Sequence, residues 1–120
     1  MNRAAITNAK RVVIKIGSSS LTGSAGSELD SHAVQKVVDL AFSLKKRGAE
    51  VVVVSSGAIA AGLSPLGLKV RPKDLATQQA AASVGQGLLI AQYSEKFKEH
   101  GVISSQVLLT TEDVVRRSHY

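Results

Sequence analysis

The sequence predicts an α/β fold with a parallel sheet, and three observations support this prediction. In the stretch Arg11–Ile16 an apolar run follows Arg11 and is broken only by Lys15, which is typical of a strand. Residues 51–54 are four consecutive valines, and such β-branched runs predict a second strand that is buried on both faces. Between the strands, apolar residues recur at helical spacing from Val34 to Leu44. A strand, a helix and a strand in this order predict a right-handed β-α-β unit with parallel strands.

The helix of this unit is delimited by residues that favour helix ends. Asp30 or Ser31 suits its N-cap, and Gly48 is a natural stop. The second strand, residues 51–55, leads into small residues and then into the helix-compatible residues 58–61. A buried strand followed by a small-residue turn and a helix is how α/β folds build a site at the carboxyl end of the sheet.

A proline-containing loop and a long helix are predicted after this turn. Residues 63–72 carry both prolines of the chain and form the loop. Asp74 suits the N-cap of a helix that continues to about His100. Gly85 and Gly87 lie in the middle of this helix, where each costs about 1 kcal/mol relative to Ala. We therefore expect both glycines to permit close packing against another element.

Two further elements are predicted at the end of the chain. Residues 102–109 are rich in β-branched and apolar side chains and predict a third strand. Thr110 then suits the cap of a new helix, since Asp113 follows three residues later.

Composition and charge limit the classes of function. The chain has 120 residues, of which 44% are hydrophobic and only 3% aromatic, so a single domain with an aliphatic core is predicted. The net charge of +6 fits either nucleic-acid binding or a site for anionic ligands. We favour the second interpretation, because the basic residues are scattered and aromatic residues that could stack on bases are scarce. The chain has no cysteine, no apolar run long enough to span a membrane and no signal-peptide pattern, so a cytoplasmic protein is predicted.

Two small-residue turns are the candidate functional site. The first follows strand one and runs from Gly17 to Ser20, and the second runs from Ser56 to Ala58. Backbone N–H groups in such turns approach a ligand closely, and helix starts favour anions such as phosphate or carboxylate. Lys15 stands near the end of a buried strand, where it either reaches solvent or meets a fixed negative charge.

Several other chemistries are excluded by pattern. The chain has neither a Walker phosphate loop nor the G-x-G-x-x-G fingerprint. Ser56 lacks the preceding glycine of a nucleophile elbow and has no suitably spaced histidine, so we interpret it as a hydrogen-bond donor to a ligand. No cluster of His, Asp or Glu indicates a metal site.

Four stretches of the chain carry more specific strings. They are Val13-Ile14-Lys15-Ile16-Gly17-Ser18-Ser19, Val54-Ser55-Ser56-Gly57-Ala58-Ile59-Ala60-Ala61-Gly62, Ala82-Ser83-Val84-Gly85-Gln86 and Leu108-Leu109-Thr110. Together they resemble the glutamate 5-kinase (γ-glutamyl kinase) family within the amino-acid kinase superfamily. The resemblance covers nearly the whole chain from Arg11 onward. Acetylglutamate kinase and its relatives usually carry a His-Gly-Gly-Gly type turn at the position of Ser56.

The resemblance implies a fold and a reaction. The fold would be a parallel-sheet αβα sandwich of the amino-acid kinase type, with residues 1–120 as the N-terminal part of the domain. The reaction would be ATP-dependent phosphorylation of the γ-carboxylate of L-glutamate, with Mg²⁺, to give γ-glutamyl phosphate. This is the first step of proline biosynthesis, and the resemblance also implies feedback inhibition by proline and a homo-oligomer, either a dimer or a tetramer.

The resemblance also assigns roles to individual residues. Lys15 would be the catalytic residue that contacts the β- and γ-phosphates and stabilises charge on the transferring group. The backbone amides that would cradle the ATP phosphates belong to Gly17, Ser18 and Ser19. The residues that would bind glutamate and the γ-phosphoryl group are Ser56, Gly57 and Ala58.

The family's domain continues well beyond 120 residues, which bears on activity. A glutamate-binding segment, the pocket for the nucleotide base and a second lysine would lie further along, so this chain is expected to be inactive alone. Two alternatives stay open: another carboxylate or phosphate kinase of the same superfamily, and a non-catalytic binding or assembly module that keeps the cleft.

Overall fold

A computed structural model describes residues 6–24, 26–109 and 111–115 of the chain. Its strands are β1 (Arg11–Ile16) and β2 (Glu50–Ser55). Its helices are α1 (Ser31–Lys46), α2 (Ala58–Leu63), α3 (Leu75–Glu99) and α4 (Thr111–Val115), with short 3-10 turns at Ser18–Ser20 and Ser64–Leu66. The predicted β-α-β unit and the long helix are therefore confirmed, whereas Thr110 lies outside the described residues.

The two strands pair in parallel, and their register sorts the side chains onto two faces. Arg11 pairs with Glu50 at one end of the ladder, and Ile16 pairs with Ser55 at the other. Because side chains alternate along a strand, Ile14 and the residues in phase with it share one face. The core lies on this face, where Ile14 packs against buried side chains of α1 and α3. The opposite face carries Lys15 and every second residue from it along the strand, such as Val13.

The helix α1 forms where the sequence predicts it because both of its ends have suitable partners. The Asp30 carboxylate accepts hydrogen bonds from the backbone N–H groups of His32 and Ala33. At the other end Gly48 adopts a left-handed conformation with φ 86°, which ends the helix. The inward face buries four residues, namely Val34, Val37, Val38 and Ala41. Burying each valine contributes about 1.5–3 kcal/mol, so this face anchors α1 to the sheet.

The helices α1 and α3 are also joined at their solvent-facing edges. His100 Nε2 lies 3.0 Å from the Asp39 carboxylate, and Lys96 donates a hydrogen bond to the Gln35 side chain at 3.2 Å. Hydrogen bonds from Gln35 and His100 hold the pKa of Asp39 below its usual value. The His100–Asp39 contact is exposed and the Lys96–Gln35 contact is only partly buried, so each stabilises the fold little.

The prediction that the valine run is buried on both faces is wrong for the described residues. Val52 and Val54 are each 47% exposed, and Val13 beside them is 61% exposed. The reason is that both long helices pack on the same face of the sheet. The other face carries the apolar composition of a covered sheet but has no covering layer among the described residues.

The prediction of a third strand over residues 102–109 is also wrong for the described residues. A strand requires backbone pairing, and the described ladder contains only β1 and β2. Residues 102–106 line a cavity of about 520 Å³ together with residues of β2. One side-chain contact ties this segment to α3, between Ser94 Oγ and Ser104 Oγ at 3.3 Å. Its apolar side chains are consequently exposed, Ile103 to 97%.

Candidate functional site

The two predicted turns lie side by side at the carboxyl ends of β1 and β2. A hydrogen bond joins them, from the Ser56 backbone N–H to the Ile16 carbonyl oxygen at 3.0 Å. Both turns border one cavity of about 500 Å³. Five of the predicted site residues line this cavity, namely Ser18, Ser19, Ser56, Gly57 and Ala58. The parallel strands thus bring together residues that are almost forty positions apart in the chain.

The sharp turn at the end of β2 depends on Gly57. Its backbone is left-handed, with φ 111° and ψ −3°, a region that residues with a side chain rarely adopt. Space is also short, because a Cβ atom there would lie 3.3 Å from Leu29 Cδ2 and 3.7 Å from Leu21 Cδ1. Gly57 therefore lets the chain turn sharply against Leu21 and Leu29 and start α2 at Ala58.

Backbone donors in both turns are available to a ligand. Within the described part of the chain, the N–H groups of Ser18, Ser19, Gly57 and Ala58 donate to no protein acceptor. The hydroxyls of the neighbouring serines add further donors around the same cavity. α2 has only six residues, so its dipole is short, and affinity for an anion would come mainly from these individual N–H and O–H groups. The arrangement suits the oxygens of a phosphate or carboxylate.

The long helix α3 fixes the position of α2 through glycines. A Cβ atom on Gly85 would lie 1.7 Å from the Ala58 carbonyl oxygen, and one on Gly62 would lie 1.9 Å from the Ala81 carbonyl oxygen. The two helices approach this closely only because neither residue has a side chain. The prediction of close packing is confirmed for Gly85 and wrong for Gly87, where a Cβ atom would have no described atom within 4 Å. Gly85 thereby supports the turn that begins α2.

A buried tyrosine of α3 holds the end of β2, which sequence reasoning did not predict. The Ser55 hydroxyl donates to the Ser56 carbonyl oxygen at 2.9 Å, so the Tyr93 hydroxyl, at 3.0 Å, donates to Ser55 Oγ. Burial raises the pKa of Tyr93, which keeps its hydroxyl protonated as the donor. The only sequence signal for this contact is the position of Tyr93 on the buried face of α3, one turn after Leu89.

Lys15 and Gly17 are not among the described residues that line this cavity. Lys15 pairs with Val54 in the ladder and shares the open face of the sheet with Val13. Its side chain is exposed and has no ion-pair partner in the described ranges. The strand nonetheless carries Lys15 to the same sheet edge as the two turns, two residues before Gly17.

A cation that the sequence analysis did not single out lines the cavity instead. Arg71, in the loop between α2 and α3, borders the same space as the two turns. No other formally charged residue lines it in the part of the chain that the structure describes. Its only sequence signal is its place beside Pro72, in a loop that also carries Lys69 and Lys73.

The residues around the cavity do not include a set of metal ligands in the described ranges. Among the described residues, no group of three His, Asp or Glu side chains is placed to hold an ion, and no carboxylate lines the cavity. Mg²⁺ prefers carboxylate and phosphate oxygens, so the described residues do not by themselves form its site. Over the same ranges, no helix is both long and apolar enough to cross a lipid bilayer.

A parallel β-α-β unit with hydrogen-bond donors in two turns at its carboxyl edge is the architecture of an α/β protein that binds ligands at the ends of its strands. Comparison with known families makes this specific: residues 10–120 match the amino acid kinase family, and the chain belongs to it.

Individual relatives are similar over almost the whole chain. It is 55% identical to the glutamate 5-kinase of Thermobifida fusca and 60% identical to that of Salinispora arenicola, in each case over 118 residues, or 98% of this chain. It is 57% identical to the glutamate 5-kinase of Streptomyces coelicolor over the same number of residues. The chain spans only 30–32% of the length of these three relatives.

Proposed function

We propose that the protein catalyses ATP-dependent phosphorylation of the γ-carboxylate of L-glutamate, the first step of proline biosynthesis. The observation that carries the proposal is identity of 55–60% to three proteins named glutamate 5-kinase, over 98% of this chain. The geometry supports it independently, because the paired turns present N–H and O–H donors around a cavity of about 500 Å³. Such donors suit both reactants, a triphosphate and a dicarboxylic amino acid.

In this reaction a γ-carboxylate oxygen attacks the terminal phosphorus of ATP, and the bond to the bridging oxygen of ADP breaks. The substrate itself supplies the nucleophile, so the protein contributes positioning and charge stabilisation. The first turn, with Gly17, Ser18 and Ser19, would hold phosphate oxygens through its amides. The second turn would hold the glutamate carboxylate and the γ-phosphoryl group, through Ser56 and through the N–H groups of the two residues after it.

Lys15 would supply the positive charge for the β- and γ-phosphates. A flexible lysine at the end of β1 reaches beyond the strand, and the absence of an ion-pair partner in the described ranges leaves its charge available. ATP is the phosphoryl donor in this proposal, and its phosphates would contribute the oxygens that bind Mg²⁺. Feedback inhibition by proline, a dimeric or tetrameric assembly and a cytoplasmic location belong to the same proposal.

The chain would be the N-terminal part of a larger kinase domain. The open face of β1 and β2, where Val13 is 61% exposed and Val52 and Val54 are each 47% exposed, supports a second covering layer and hence an αβα sandwich. Relatives of about three times this length are consistent with further strands and helices. The 120-residue chain alone would lack part of the cleft and would be inactive.

The decisive experiment traps the acyl phosphate with hydroxylamine and measures glutamate- and ATP-dependent hydroxamate. It compares the 120-residue chain with the complete gene product that carries these residues. Activity only in the complete product supports the proposal, whereas activity in the 120 residues refutes the claim that part of the site is missing. Hydroxamate with other acids but not glutamate identifies a different kinase of the family, and silence from folded protein with every acceptor favours a binding module.

The role of Lys15 is tested in the active product with Lys15→Ala. Removing the charge that stabilises the transferring group should lower kcat by a factor on the order of 100 or more. The matched control is Lys36→Ala, an exposed lysine on the solvent side of α1, which should retain activity within about twofold. Equal activity of the two variants would remove Lys15 from the mechanism.

A further inference from the structure

Arg71 lines the cavity in the structure, but it is not among the site residues predicted from the sequence. The other described lining residues are hydroxyl-bearing, small or aliphatic. Hydroxyls and amides bind an anion, but they do not neutralise it. An amino-acid substrate that is phosphorylated on its side-chain carboxylate still brings a second, permanently charged α-carboxylate into the site. A guanidinium matches a carboxylate with two parallel hydrogen bonds, which a lysine cannot provide.

The loop that carries Arg71 is anchored on both sides. Before it, the Leu68 backbone N–H donates to the Leu63 carbonyl oxygen at 2.9 Å, which ties the loop to the end of α2. After it, the side-chain amide of Gln78 in α3 donates to the Pro72 carbonyl oxygen at 2.8 Å. The arginine is therefore carried by a connection that is fastened to the two helices behind the second turn.

The positive charge of Arg71 is also not neutralised by another residue in the described ranges. It has no ion-pair or hydrogen-bond partner in the described ranges, whereas Arg11, for comparison, is engaged by Glu50. The nearest acidic residue along the chain, Asp74, is engaged by the backbone N–H and the hydroxyl of Thr77. A free guanidinium at the wall of a cavity with hydroxyl and amide donors favours binding of a carboxylate from the ligand.

We propose that Arg71 is a specificity-determining residue that binds the α-carboxylate of the amino-acid substrate. In the proposed function the second turn holds the carboxylate that reacts, and Arg71 lines the same cavity as that turn and the start of α2. A substrate bridging the two would present its γ-carboxylate to the phosphoryl donor and its α-carboxylate to the loop. The inference rests on the proposed function and names the group that distinguishes an amino acid from a simple carboxylic acid.

The test is steady-state kinetics of Arg71→Ala in the complete gene product, with hydroxamate as the readout. Loss of a charge-assisted hydrogen-bonded pair should raise the KM for glutamate by about 10- to 100-fold. The KM for ATP should change by less than about threefold, which also shows that the variant is folded. Arg71→Lys should recover part of the loss. Lys69→Ala, which removes a cation of the same loop that does not line the cavity, is the matched control and should behave as wild type.

A second ligand isolates the α-carboxylate. 4-Aminobutanoate keeps the reacting carboxylate and the ammonium group but lacks the α-carboxylate. Its KM, or its inhibition constant against glutamate, should be the same in the wild type and in Arg71→Ala. An unchanged KM for glutamate overturns the proposal, and so does an equal rise in the KM for ATP, which would assign Arg71 to phosphate. Wild-type protein that makes no hydroxamate from glutamate would refute the proposed function instead, so the two failures are distinguishable.

Discussion

Substituting the two glycines of α3 separately tests whether this helix positions the site. In Gly85→Ala the new Cβ atom would lie 1.7 Å from the Ala58 carbonyl oxygen and 2.5 Å from the Gly62 nitrogen. Ordinary contacts of a Cβ atom begin at about 3.4 Å, so α2 and α3 would have to separate by well over 1 Å. In Gly87→Ala the Cβ atom meets no atom of the described residues within 4 Å.

The expected free energies have opposite signs. Both substitutions gain helix propensity, about 1 kcal/mol for Gly to Ala in a helix interior. Overpacking costs about 1–3 kcal/mol and more where backbone atoms must move, as they must beside Gly85. We therefore expect Gly85→Ala to lower the free energy of unfolding by about 2 kcal/mol and Gly87→Ala to raise it by about 0.5–1 kcal/mol.

Urea unfolding followed by circular dichroism measures both variants, with the midpoint compared at constant slope. The same displacement would move Ala58 and the turn before it, so Gly85→Ala should also lower hydroxamate formation, by about 100-fold for a shift of 1 Å. Gly87→Ala should keep full activity. Equal stability of the two variants would refute the packing argument. Lost stability with full activity would refute the link between α3 and the site.

Two further predictions concern the turn and its support. Gly57→Ala should lower the free energy of unfolding by about 1–3 kcal/mol, because φ is 111° at this position. Gly17→Ala is the matched control, since φ is −80° there and the space around it is open, and its free energy of unfolding should stay within about 0.5 kcal/mol of wild type. Equal losses of the two variants in urea titrations would contradict this reasoning. Burial raises the pKa of Tyr93 above its usual value of 10.0, so its contribution is complete below pH 10 and is lost as the pH rises through the folded-state pKa. Tyr93→Phe should remove this alkaline loss, and identical unfolding free energies against pH in wild type and variant would exclude Tyr93 as its source.

Local sequence patterns were sufficient for the elements whose partners are close in the chain. The bounds of β1 and the capping of α1 by Asp30 follow from a short apolar run and a side chain that bonds its own helix. The pairing of β1 with β2 followed as well, because a β-α-β unit leaves little choice of handedness or direction. The cavity between the two turns is a consequence of that topology, since parallel strands end at the same edge.

Features that depend on contacts between residues far apart in the chain could not be predicted from the sequence. The valine run has the composition of a strand covered on both faces, but the helices of this chain cover one face, and composition does not reveal which layers a given stretch of chain supplies. Residues 102–109 likewise carry a strand pattern, yet a strand exists only when a neighbouring backbone pairs with it.

The sequence by itself determined the parallel β-α-β frame, the two turns and the family, because these reside in local periodicity and in short strings. Tertiary structure alone decided that Gly85 and not Gly87 is a contact between helices, that Tyr93 holds Ser55, and that Arg71 lines the cavity. The physical reason is distance along the chain. The local sequence around a helical glycine, a tyrosine or a loop arginine is the same whether the residue faces solvent or contacts another element. Only the folded structure shows which contact it makes.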